Sequence, residues 1–191
     1  MRSHRTRLLV RIALTAALSF VLGMFKLWEM PQGGSVSLEM LPMVVLALVD
    51  GAGPAIVAGL VGGMLGAILR PEIVGWLQFA LDYPLAYGAV GLAGLFAPVW
   101  RANAARGTWG RGIATAIVPG VVLASTARYA FHVASGYFFW GQYAPEGQPV
   151  IVYSLVYNSF VFAAAAIVLV AAAVVVPVLS RADVVESRSA E

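Results

Sequence analysis

Residues 38–69 read LEMLPMVVLALVDGAGPAIVAGLVGGMLGAIL, an apolar run interrupted at Asp50-Gly51-Ala52-Gly53-Pro54. A membrane-spanning helix needs about 20 apolar residues, because the hydrocarbon layer is about 30 Å thick and each residue advances about 1.5 Å. This run is too long for one helix, and its interruption reads as a turn followed by a helix start. Two short helices are therefore expected, returning the chain to the side it came from. The first half, 38–49, has only 12 residues, so a re-entrant hairpin is the alternative to two full crossings.

Outward from this break, four longer apolar runs follow the same arithmetic: 8–28, 75–100, 112–140 and 150–179. The expected fold is an all-α integral membrane bundle of six transmembrane helices, a single domain over 1–180 with a polar, frayed tail over 181–191. The chain is 61% hydrophobic and 11% charged, against roughly 45–50% and about 25% in a soluble domain, which excludes a water-soluble globule. The absence of cysteine excludes disulfides, thiolate metal sites and thiol nucleophiles. Lys26 is the only lysine, so there is no Gly-x4-Gly-Lys phosphate loop, and any use of ATP belongs to another chain.

Orientation follows from arginine and lysine in the connections. With the N-terminus inside, the inner segments hold Arg2, Arg5, Arg7, Arg11, Arg101, Arg106, Arg111, Arg181 and Arg188, and the outer ones only Lys26 and Arg70. Both termini are expected in the cytoplasm. This bias accounts for the basic charge without any nucleic-acid partner.

Ionisable side chains inside membrane segments are costly and mark candidate sites. Here they are Glu39, Asp82, Arg128 and His132. Gln78 lies one turn before Asp82 on the same helix face, and Arg128, His132, Gly136 and Trp140 form an i, i+4 row on the fifth helix. Asp82 needs a cationic partner, for which Arg128 or another residue of the chain is one reading and a cationic ligand the other. Nine of the 21 aromatic residues fall between Phe131 and Phe160, a cluster that suits either an interfacial belt or, beside a carboxylate, a site for a flat organic cation. Glycines at 59, 62, 63, 66, 88, 91 and 94 permit close helix approach, as does the pair Ala13 and Ala17.

The strings Met30-Pro31-Gln32-Gly33-Gly34-Ser35, Gln78 through Asp82-Tyr83-Pro84-Leu85-Ala86, Gly91-Leu92-Ala93-Gly94-Leu95-Phe96, Arg128-Tyr129-Ala130-Phe131-His132 and Trp140-Gly141-Gln142-Tyr143-Ala144, with Tyr153-Ser154-Leu155 and Asn158, resemble the thiamine-specific S-component (ThiT) family of energy-coupling factor transporters. The His-x3-Gly-x3-Trp row and the Tyr-x4-Asn pair carry the specificity of this likeness, which covers about residues 8–170. It implies a six-helix vitamin-binding protein of a prokaryotic cell membrane with both termini cytoplasmic, neither an enzyme nor a holder of a metal or cofactor. Thiamine would be captured from outside and delivered by docking on a transmembrane coupling subunit with two cytoplasmic ATPase subunits. Carried over by position, the substrate-binding residues are Asp82, Tyr83, His132, Gly136, Trp140, Tyr153 and Asn158, and the docking pair is Ala13 and Ala17. Three departures stand out: aspartate at 82 where some relatives have glutamate, no clear match for a first-loop tryptophan (Ser35 stands in the region and Trp28 is the substitute), and Val49-Asp50 in place of a basic pair.

Asp82 suits a charge-assisted bond to thiamine, Trp140 and His132 suit stacking, and Tyr153 and Asn158 suit the polar ring edges. The loops at 30–36 and 140–149 are the expected lid. An S-component for another small vitamin is the alternative, and an intramembrane enzyme using Asp82, His132 and Ser154 is the rival class.

Overall fold

The computed structural model describes residues 2–31, 33–69 and 72–189; Gln32, Arg70 and Glu191 lie outside them. The chain forms α1 (Arg2–Met24), an antiparallel hairpin of β1 (Trp28–Glu29) and β2 (Ser35–Val36), α2 (Leu41–Asp50), α3 (Ala52–Leu69), α4 (Trp76–Ala105) and α5 (Trp109–Phe139). The last helix, α6, starts as Val150–Tyr157 and resumes as Phe160–Ser189.

The break read from Asp50-Gly51 is real: Gly51 adopts φ +103, and α3 starts at the next residue. With ten residues, α2 rises only about 15 Å, half the hydrocarbon layer. It survives because it is core: Met40, Met43, Val44, Ala47 and Leu48 expose no surface. Four helices are long and apolar enough to cross a membrane, while α2 and α3 are shorter. Asp50, at the end of α2, pairs with Arg11 of α1 at 2.9 Å, so the acidic residue standing where relatives carry a basic pair has an internal partner.

Two local features were absent from the expected pattern. Pro84 lies inside α4, where it lacks an amide to donate and its ring would strike the carbonyl four residues back; the helix widens to a π-helical turn over Leu81–Leu85. α5 widens likewise over Ile113–Ile117, just ahead of Pro119. The tail also differs from expectation: α6 continues through Ser189, because no glycine or proline follows Pro177 to stop it.

The glycine spacings resolve into a seam between α3 and α4. A Cβ on Gly59 would lie 2.3 Å from the Tyr87 carbonyl oxygen, and one on Gly63 2.4 Å from that of Tyr83. From the other side, a Cβ on Gly91 or Gly94 would lie 2.4 Å from the backbone nitrogen of Ile56 or 2.3 Å from that of Ala52. Backbone therefore packs on backbone along the whole seam.

Candidate functional site

At the hairpin end, α4, α5 and α6 diverge around a cavity. All seven residues expected to bind substrate line it: Asp82, Tyr83, His132, Gly136, Trp140, Tyr153 and Asn158. Asp82 and Tyr83 sit in the wide turn of α4, which re-aims the helix face at that level. His132, Gly136 and Trp140 keep their i, i+4 row on α5, and Arg128 extends it to the cavity floor. Gly136 allows α6 to approach: a Cβ there would lie 2.2 Å from Ser154 Oγ and 3.0 Å from Asn158 Nδ2. Asn158 itself interrupts α6, its amide donating to the Ser154 carbonyl at 2.9 Å in competition with the helix ladder.

The electrostatics centre on Asp82. Its Oδ2 accepts from Gln78 Nε2 at 2.8 Å, Ser135 Oγ at 2.5 Å and Trp140 Nε1 at 3.4 Å, while Oδ1 meets His132 Nδ1 at 3.0 Å. Three of these contacts crowd Oδ2, while Oδ1 has one and keeps a second lone-pair direction. Arg128 is not its counter-ion. That guanidinium pairs with Glu39 Oε1 at 2.6 Å, both side chains about 95% buried, and its Nε donates to His132 Nε2 at 3.2 Å. Arg128 is thus excluded as the partner of Asp82 by geometry, and the residue of this chain that meets the carboxylate is His132. The Asp82 side chain keeps 18% of its surface open.

The aromatic cluster divides between the two roles expected of it. Tyr137, Phe138 and Tyr143 face outward at 47%, 68% and 45% exposure, as a belt would, whereas Trp140, Tyr153, Tyr157 and Phe160 line the cavity. Trp140 stacks on Tyr143 with centroids 6.1 Å apart.

Of the expected lid at 30–36, Gly33 and Gly34 reach the site: both stand at φ +85 against the cavity, and Tyr157 donates its hydroxyl to the Gly33 carbonyl at 2.9 Å. Gly34 presses on the ring of Phe160, 2.6 Å from where a Cβ would stand. From 140–149 only Trp140 lines the cavity. Trp28 lies on β1 with 66% of its surface exposed, and neither it nor the buried Ser35 lines the cavity.

Sequence reasoning missed Glu72, which lines the cavity from the segment ahead of α4, and Ser135, and it named Tyr157 only as one of the clustered aromatics. Ser135 carried a findable signal, lying three residues after His132 on the same helix face. Glu72 sits outside any periodic element and carried none. The pair Ala13 and Ala17 is exposed on α1, while Ala16 beside them is the buried alanine.

The family model described as "Thiamine transporter protein (Thia_YuaJ)" matches residues 9–185. "Thiamine transporter ThiT" of Bacillus subtilis (strain 168) is 38% identical over 159 residues, covering 79% of this chain and 80% of that protein. A protein of the same description from Lacticaseibacillus paracasei is 38% identical over 123 residues, covering 62% and 61%. The solved structure of ThiT from Listeria monocytogenes superposes with a TM-score of 0.79 at 29% identity, covering 94% of this chain and 96% of that one. The chain belongs to the thiamine transporter family these proteins represent.

Proposed function

We propose that the chain is the thiamine-binding S-component of an energy-coupling factor importer, with the cavity among α4, α5 and α6 as its thiamine site. The observation that carries this reading is the charge balance around Asp82. Glu39 and Arg128 offset each other, and among the described residues no lysine or arginine pairs with Asp82. A partly open carboxylate with four hydrogen-bonding partners and aromatic walls suits a permanently cationic, flat ligand such as thiamine. Trp140 lies beside the carboxylate, placed to lie against a bound ring, while Tyr153 and Asn158 offer polar atoms across from it.

The termini face the cytoplasm in this reading, as the nine-to-two arginine and lysine count requires, and the cavity opens outward. The exposed Ala13 and Ala17 of α1 offer a close-approach surface for a transmembrane coupling subunit, with two ATPase subunits supplying the energy this chain cannot. The enzymatic rival lacks its chain of groups. Ser154 donates to the Val133 carbonyl at 2.8 Å, and the serine that does meet the site, Ser135, donates to Asp82 and not to a histidine base.

Equilibrium titration of the purified chain in detergent tests the reading: thiamine should quench tryptophan fluorescence at saturable, stoichiometric binding without turnover. Trp140→Phe should retain binding and lose most of the quench. An undiminished quench in that variant would remove Trp140 from the ring contact, and absence of saturable binding to the parent chain would overturn the thiamine assignment.

A further inference from the structure

The buried ion pair behind the site has a geometry that determines the protonation of the histidine in front of it. Arg128 uses its guanidinium in three directions at once: Nη2 to Glu39 Oε1 at 2.6 Å, Nε to His132 Nε2 at 3.2 Å, and its planar face over the Tyr87 ring, 4.4 Å from the centroid. A guanidinium donates hydrogen bonds and accepts none. His132 Nε2 must therefore be the acceptor, with its lone pair toward Arg128, and the ring proton sits on Nδ1, where it is donated to Asp82 Oδ1 at 3.0 Å. We infer that Arg128 and Glu39 are positioning residues that hold His132 as the neutral Nδ1–H tautomer, and so preserve the negative charge of Asp82 for a cationic ligand.

The consequence is electrostatic. With His132 neutral, Glu39, Arg128 and Asp82 sum to one negative charge, and a cation completes the cluster. Protonation of His132 at Nε2 would aim a second donor at Arg128, cancel the charge on Asp82, and place an imidazolium beside the cationic ligand. Glu39 is needed because an unpaired buried guanidinium would itself repel that ligand. Lysine could not replace Arg128, since a point ammonium lacks the fork that serves Glu39 and His132 together. The other titratable groups facing His132 across the cavity are Glu72 and the phenols of Tyr83 and Tyr87 from α4 and its lead-in, and Tyr153 and Tyr157 from α6.

This inference rests on the thiamine reading for its purpose but can be tested without thiamine. His4 and His132 are the only histidines, so the ligand-free protein carrying His4→Gln and labelled with nitrogen-15 histidine reports a single ring. The expected spectrum at about pH 8 shows a protonated Nδ1 and an unprotonated Nε2, the tautomer that the two contacts require. An Nε2–H tautomer, or an imidazolium at neutral pH, overturns the inference. The second arm removes the pair together, Glu39→Gln with Arg128→Met, so that no buried charge is stranded. At about pH 8 the histidine spectrum of this double variant should lose the single Nδ1–H form of the parent and show a mixture of ring forms, because no donor then faces Nε2. A spectrum identical to the parent's would reduce the pair to packing and overturn the inference. If the parent chain fails to bind thiamine at about pH 8, the ligand assignment falls, and the ligand-free spectrum still decides the tautomer.

Discussion

α4 presents two faces to the rest of the bundle, and they are built on opposite principles. Toward α3 it offers backbone: the carbonyls of Tyr83 and Tyr87 lie against Gly63 and Gly59 with no room for a methyl group. Toward α5 and α6 it offers side chains, Gln78, Asp82 and Tyr83, and keeps an open cavity. The closed face supports the open one. A carboxylate can be held partly desolvated and aimed only if the helix carrying it cannot move, and a seam of glycines against carbonyls fixes α4 more tightly than interdigitated flexible side chains would.

The largest effect should come from the open face. Asp82→Asn keeps the size and removes the charge, and losing a desolvated charged partner should cost about 2–5 kcal/mol of thiamine affinity, roughly 30-fold to several thousand-fold. Arg128 already has Glu39, so no cation is stranded; the amide nitrogen would face one of the donors that now serve the carboxylate, so the ligand-free melting temperature should fall only modestly, by about the 1–3 kcal/mol of one mismatched hydrogen bond. A variant that melts much earlier yet binds within about threefold of the parent (under 1 kcal/mol) would reverse the assignment of roles to the two faces.

A smaller effect is expected from the closed face. Gly63→Ala would force a Cβ to 2.4 Å from the Tyr83 carbonyl, and overpacking of this kind costs about 1–3 kcal/mol of stability. Because the displaced residue is Tyr83 itself, thiamine affinity should fall with it. Gly66→Ala, on the same helix but facing open space, should melt no earlier than the parent. Thermal unfolding of both in detergent checks the comparison: equal melting temperatures would show that the seam is not the framework.

The smallest effect on binding should come from α1. Ala13→Trp with Ala17→Trp changes an exposed face on the far side of α1 from the core, so the thiamine dissociation constant should move less than about threefold while cellular uptake fails. Uptake that survives would make the pair lipid contact only.

What the sequence by itself determined was local. The apolar runs, the Asp50-Gly51 break, the α5 row of His132, Gly136 and Trp140, and the seven cavity residues could all be found from helix length, helix period and resemblance, because residues one turn apart must share a face whatever surrounds them. Partnership across helices was decided only by the tertiary structure. Arg128 stands 89 residues from Glu39 and His132 stands 50 from Asp82, and nothing along the chain says which cation answers which carboxylate. The same holds for Glu72, brought to the cavity by a non-periodic segment, and for the aromatic cluster, where neighbours such as Phe138 and Trp140 part toward the outer surface and the cavity. The wide turn at Leu81–Leu85 adds a rotation that an ideal helical period omits, so the direction of Asp82 depended on how Pro84 was accommodated within α4. Side-chain faces follow from local backbone geometry; ion-pair partners follow from packing, where the cost of leaving a buried charge unmatched selects one arrangement over the others.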